Sequence, residues 1–188
     1  MLNLPNFLTL IRLVAIPFFL VLLSSGLYLE AMIIFVLGAL TDGLDGAVAR
    51  MTHQQTLLGA YLDPAADKLL VMSSFVMLGL IGTIPPWLVV LAVSRDIIIL
   101  FGYGTIYFLT SERLDVRPSP VGKLNTLFQL IVVGAALLFL YDSHLVNNRL
   151  YSTLIFATAT TTVISGLQYI YRGLVWLQNR GMSSTGPS

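Results

Sequence analysis

Apolar runs of about the length a helix needs to cross a bilayer, roughly 20 residues, alternate along the chain with short polar or Pro/Gly breaks. Six such runs are read: Phe7 to Ser25, Leu29 to Arg50, Leu58 to Gly82, Pro86 to Thr110, Val121 to Tyr141 and Leu150 to Trp176. The pattern predicts an all-α integral membrane protein with six transmembrane helices. Residues 1–176 form one domain, and 177–188 form a short tail whose end, "GMSSTGPS", has the small, polar composition of disordered chain. For the first run a signal peptide is the alternative, with Leu13 to Leu23 as its apolar core. Arg12 is the only nearby charge, however, and no A-x-A-like site follows.

Composition agrees with lipid as the solvent. Of 188 residues, 56% are hydrophobic and 10% charged, with a mean hydropathy of +0.86; soluble domains carry about 25% charged residues. The net charge of +1, with Lys and Arg dispersed, excludes a nucleic-acid surface. No cysteine is present, which excludes disulfides and thiolate metal sites, and the two histidines, His53 and His144, are far apart. Orientation follows from the bases near the span ends. With the N-terminus cytoplasmic, that side receives Arg50, Arg113, Arg117, Lys123, Arg172 and Arg180, and the other only Arg149. Both termini are therefore expected in the cytoplasm.

Against this background the segment "TDGLDGAVARMTHQQTLLGAYLDPAADK" stands out, because it holds four of the nine acidic residues. Asp42 and Asp45 fall near the cytoplasmic end of the second span, Asp63 and Asp67 near the cytoplasmic start of the third. At about 100° per residue, Asp45 is displaced by about 60° from Asp42 and Asp67 by about 40° from Asp63, so each pair shares a helix face. The short connection makes the two helices antiparallel neighbours. Four carboxylates can thus converge where each intramembrane Asp costs about 2.5–3.5 kcal/mol at a helix centre, less near the interface. Two arrangements would neutralise them. Arg50, Lys68 and Arg95 could form structural ion pairs, or hard divalent cations could bind the oxygens. The second is favoured, since Lys68 projects about 100° from Asp67 and long basic chains snorkel outward. Gly46 and Gly59 lie beside the acids and clear space for a ligand, and Arg50 is placed to meet an anionic phosphate.

The order Asp42, Asp45-Gly46, Ala49-Arg50, Gly59, Asp63, Asp67 resembles the complete signature of the CDP-alcohol phosphatidyltransferases, with no position departing from it. "NLPNFLTLIRLVAIP", "LDPAADKLL", "SRDIII" and "GKLNTLFQ" extend the likeness over most of the chain. The resemblance implies a six-helix, homodimeric enzyme that moves the phosphatidyl group from CDP-diacylglycerol to an alcohol and releases CMP at a cytoplasmic active site. It implies two Mg²⁺ or Mn²⁺ ions on Asp42, Asp45, Asp63 and Asp67, with Asp67 also the general base. Gly46, Ala49, Arg50 and Gly59 would accommodate the CDP moiety.

The acceptor is expected from the same resemblance. Phosphatidylglycerophosphate synthases of the family carry an Arg-Glu pair and a further Arg along the fourth span and a second Lys in the fifth; here the fourth reads "SRDIIILFGYGTIYFLT" and the fifth opens "GKLNT". A phosphate monoester wants several cations, a phosphodiester fewer. Together with the threonine-rich "FATATTTVISGLQYIYRG", this favours phosphatidylglycerol as acceptor, as in the cardiolipin synthases, with glycerol 3-phosphate the alternative. Arg95 and Lys123 are the candidate acceptor contacts, against a pairing of Arg95 with a nearby acid and a boundary role for Lys123. Asn6, Thr9 and Arg12 either line the site's mouth or cap and anchor the first helix at the interface. An intramembrane prenyltransferase and a cation transporter are the rival functions. The first would show longer Asp-rich repeats, and the second carboxylates spread across the bilayer.

Overall fold

The computed structural model describes the backbone of residues 4–52, 57–110 and 119–183, and most side chains within 9–41, 66–102 and 119–178. Six helices make up the fold: α1 (Leu4–Ser24), α2 (Tyr28–Thr52), α3 (Leu57–Ile81), α4 (Pro86–Thr110), α5 (Pro120–Tyr141) and α6 (Asn148–Ser183). They coincide with the six apolar runs to within a few residues at nearly every end. The exception is α6, which runs past Trp176 to Ser183, so the first part of the expected tail is helix rather than disordered chain.

The boundaries have local causes. At the end of α1, Gly26 adopts φ +78, a conformation glycine takes without steric cost. Its N–H donates to the Leu23 carbonyl while Leu27 N–H reaches back to Leu22 O at 3.0 Å, a Schellman closure. α3 ends the same way: Gly82 has φ +88, and the N–H groups of Gly82 and Thr83 donate to Gly79 O and Leu78 O. Pro86 then opens α4, where its missing N–H costs nothing. Ser119 caps α5 by accepting from Gly122 N–H at 3.0 Å, and Asn147 Oδ1 caps α6 by accepting from Arg149 N–H at 2.9 Å.

α3 lies at the centre, touching α1, α2, α4 and α5, and α6 packs on α4 and α5. Phe19, Phe35, Leu70, Phe75, Leu78, Leu88, Val132 and Leu137 form the apolar core. At one end of the bundle Tyr151 Oη donates to Thr83 O at 2.9 Å, tying the start of α6 to the α3–α4 turn.

Among the described residues every helix exposes large apolar side chains, reaching 78% exposure at Leu80 and 72% at Leu100, while Arg12, Arg95, Asp96, Asn125 and Gln129 are buried. Exposed apolar faces with charged groups buried in the bundle are the distribution expected when lipid is the solvent. Among the described residues, α5 and the Asn148–Trp176 part of α6 are long and apolar enough to cross a membrane; the apolar stretches Thr9–Ser24, Tyr28–Thr41 and Lys68–Ile81 are shorter. Thr9 and Arg12 are buried, at 2% and 3% exposure, so interface anchoring is not the role of Arg12.

Candidate active site

The signature residues fall on two contacting helices. Asp42, Asp45, Gly46, Ala49 and Arg50 belong to the C-terminal half of α2, and Gly59, Asp63 and Asp67 to the N-terminal half of α3. Helical spacing puts each acid pair on one face of its helix. Their side chains lie outside the described residues, as does His53. Among the described residues no group of three or more metal-binding side chains occurs.

Next to this region α3, α4, α5 and α6 build a buried polar network. Its hub is Asp96 on α4, with a side chain 5% exposed. Lys68 of α3, which follows Asp67 directly, donates to both Asp96 oxygens at 3.1 Å. Arg95 donates from Nη1 to Asp96 Oδ1 at 2.5 Å and from Nη2 to Ser165 Oγ of α6 at 2.5 Å. Its guanidinium stacks over the Tyr169 ring, 5.5 Å from the centroid, a cation–π contact. The Arg95 Nε, in contrast, is buried without a hydrogen-bond partner.

α5 approaches this arginine through a glycine. A Cβ at Gly122 would sit 3.2 Å from Ser119 Oγ, 3.4 Å from Tyr169 Oη and 3.5 Å from Arg95 Nη2, so glycine lets the three converge on the first turn of α5. Lys123, the next residue, is exposed. One turn further, Asn125 is fully buried, and its Oδ1 accepts from Thr162 at 2.7 Å and Thr161 at 3.2 Å. The threonine-rich stretch thus has a packing role. Thr158, Thr162, Ser165 and Tyr169 recur at helical spacing on α6 and face α4 and α5 with polar groups.

The two candidate acceptor residues are therefore placed differently. Arg95 is held by Asp96, Ser165 and Tyr169, as in the ion-pair alternative, whereas Lys123 is exposed beside it along α5. The residues the sequence reading did not single out are Asp96, Ser119, Ser165 and Tyr169. An acid-base pair within an apolar span and a polar stripe at i, i+4, i+7, i+11 were the signals that carried them.

The stretch that holds the eight signature residues lies within residues 2–165, which match the family model of the CDP-alcohol phosphatidyltransferases. The chain belongs to the CDP-alcohol phosphatidyltransferase family. It is thus an enzyme, a phosphatidyltransferase of phospholipid synthesis. It is 30% identical over 184 residues, covering 90% of this chain and 94% of the relative, to the "CDP-diacylglycerol--glycerol-3-phosphate 3-phosphatidyltransferase" of Bacillus subtilis. A Mycobacterium tuberculosis protein provisionally named phosphatidylglycerophosphate synthase is 35% identical over 92% of this chain and 82% of its own length. A Mycobacterium bovis protein provisionally named cardiolipin synthase is 38% identical, over 66% of this phosphatidyltransferase and 59% of its own length. The relatives that match along nearly the whole chain thus carry names that favour glycerol 3-phosphate over the expected phosphatidylglycerol.

Proposed function

We propose that the protein transfers the phosphatidyl group of CDP-diacylglycerol to glycerol 3-phosphate, giving phosphatidylglycerophosphate and CMP. The observation that carries this reading is the near-full-length similarity to enzymes named for that acceptor. Basic residues buried in the bundle are not confined to α4 and α5: Arg12 of α1 is 3% exposed.

The reaction is a displacement at phosphorus. The acceptor hydroxyl oxygen forms a bond to the phosphorus that carries the diacylglycerol, the bond to the CMP oxygen breaks, and the hydroxyl proton passes to the Asp67 carboxylate. Asp42, Asp45, Asp63 and Asp67 would hold two Mg²⁺ or Mn²⁺ ions, and an all-carboxylate donor set fits those hard cations. Such ions supply charge neutralisation on the phosphoryl oxygens and the departing phosphate. Support for an external cation comes from the pairing of Lys68 and Arg95 with Asp96, which commits two of the three bases otherwise offered to the four aspartates. Gly46, Ala49 and Gly59 leave room for the nucleotide, Arg50 meets the diphosphate, and the exposed Lys123 meets the acceptor phosphate, with Arg95 held by Asp96, Ser165 and Tyr169.

The same reading takes all six helices as membrane spans, puts both termini and the site on the cytoplasmic side, and takes the active form as a homodimer. The apolar side chains exposed on every helix support the spans, and the bias of basic residues supports the orientation. To test the acceptor, purified protein is given CDP-diacylglycerol with glycerol 3-phosphate and phosphatidylglycerol together. Phosphatidylglycerophosphate is the expected lipid product; cardiolipin would restore the other acceptor.

A further inference from the structure

We propose that Asp96 is a positioning residue for the metal-binding carboxylates: it holds the charges of Lys68 and Arg95 so that neither neutralises the aspartates of α2 and α3. The inference rests on the reading that those aspartates take divalent ions.

Lys68 is adjacent in sequence to Asp67 and about one and a half turns beyond Asp63. Its ammonium sits on a flexible four-carbon stem, and its side chain is 36% exposed. With nothing to hold it, such a group close to several carboxylates pairs with them and competes with metal. In the structure it is turned to α4 instead, where both Asp96 oxygens take it at 3.1 Å. Asp96 Oδ1 also takes Arg95 Nη1, so one buried carboxylate binds two cations from two helices. A buried acid that only needed neutralising would be satisfied by the neighbouring Arg95. The second cation is what lends Asp96 its further role.

The charges give a sharp test. Lys68, Arg95 and Asp96 sum to +1; D96N raises the sum to +2, and adding K68M returns it to +1. An extra unit charge close to a site for divalent ions repels them, and at an effective dielectric of about 20 this weakens their binding by at least about tenfold. A loss caused only by damaged packing would not be repaired by removing a second buried contact.

The experiment titrates the purified full-length chain with Mn²⁺ alone, with no lipid substrate, and follows free Mn²⁺ by electron paramagnetic resonance. D96N should bind Mn²⁺ at least about tenfold more weakly than wild type, D96E should bind close to wild type, and D96N/K68M should recover most of the loss. Wild-type affinity in D96N, or no recovery in the double variant, would overturn the inference while leaving the metal reading intact. An absence of Mn²⁺ binding by the wild-type chain would overturn the metal reading and this one with it. Should D96N fail to fold, K68M alone decides: its sum of zero should tighten Mn²⁺ binding severalfold, and unchanged or weaker binding would refute the role of Asp96.

Discussion

Arg95→Lys isolates what the α4–α6 contact contributes. In the native protein the guanidinium spans from Asp96 to Ser165 and covers the Tyr169 ring. A lysine keeps the charge and can keep Asp96, but a single ammonium cannot also reach Ser165 and stack on the ring. The lost hydrogen bond from a charged donor is worth about 1.5–3 kcal/mol, and the cation–π contact about 0.5–2 kcal/mol. Allowing for partial relaxation, the loss is about 2–3 kcal/mol. For a chain of this size that corresponds to a fall of about 4–12 °C in apparent melting temperature, measured in detergent by intrinsic fluorescence. Tyr169→Phe, which retains the ring face, should melt close to wild type, while Tyr169→Leu should lose the smaller, cation–π part. If Arg95→Lys melted with the wild type, or if Tyr169→Phe were as damaging as Tyr169→Leu, the assignment of these energies would be wrong.

Other variants test separate parts of the account. Gly79→Ala would place a methyl 2.6 Å from Val89 Cγ2 and should destabilise the α3–α4 packing by about 1–3 kcal/mol; unaltered thermal stability would show that the helices separate freely there. Ser119→Ala removes the α5 cap and should cost about 1 kcal/mol, with amide exchange rising at Gly122 and its neighbours as the local readout. Chelation by EDTA should stop phosphatidyl transfer and Mg²⁺ or Mn²⁺ should restore it, so full activity in chelator would eliminate the metal role of the four aspartates. Gly59→Leu should weaken CDP-diacylglycerol binding, and unchanged affinity would count against nucleotide contact at that position.

The fold was largely legible because its punctuation is chemical. Gly26 and Gly82 end helices at positive φ, and Pro86 and Pro120 begin them, so turn residues and apolar run lengths mark nearly the same boundaries as the backbone. The end of α6 was not legible in this way. Hydropathy falls after Trp176 because the chain turns polar, but Leu177, Gln178 and Arg180 are good helix formers and the helix continues.

A similar division holds at the site. Asp42, Asp45, Asp63 and Asp67 announce themselves through local spacing on adjacent helices. The Asp96 hub joins residues 28 positions apart and the Arg95–Ser165 bond residues 70 apart, and helical periodicity within one span carries no information about such partners.

The most direct measurement of the central claim follows both products of one turnover in purified protein supplied with CDP-diacylglycerol, Mg²⁺ and labelled glycerol 3-phosphate. The wild-type chain should release CMP and form labelled phosphatidylglycerophosphate in equal amounts, and Asp67→Asn should do neither while still binding CDP-diacylglycerol. Release of CMP without label entering lipid, or near-normal turnover by Asp67→Asn, would contradict the account.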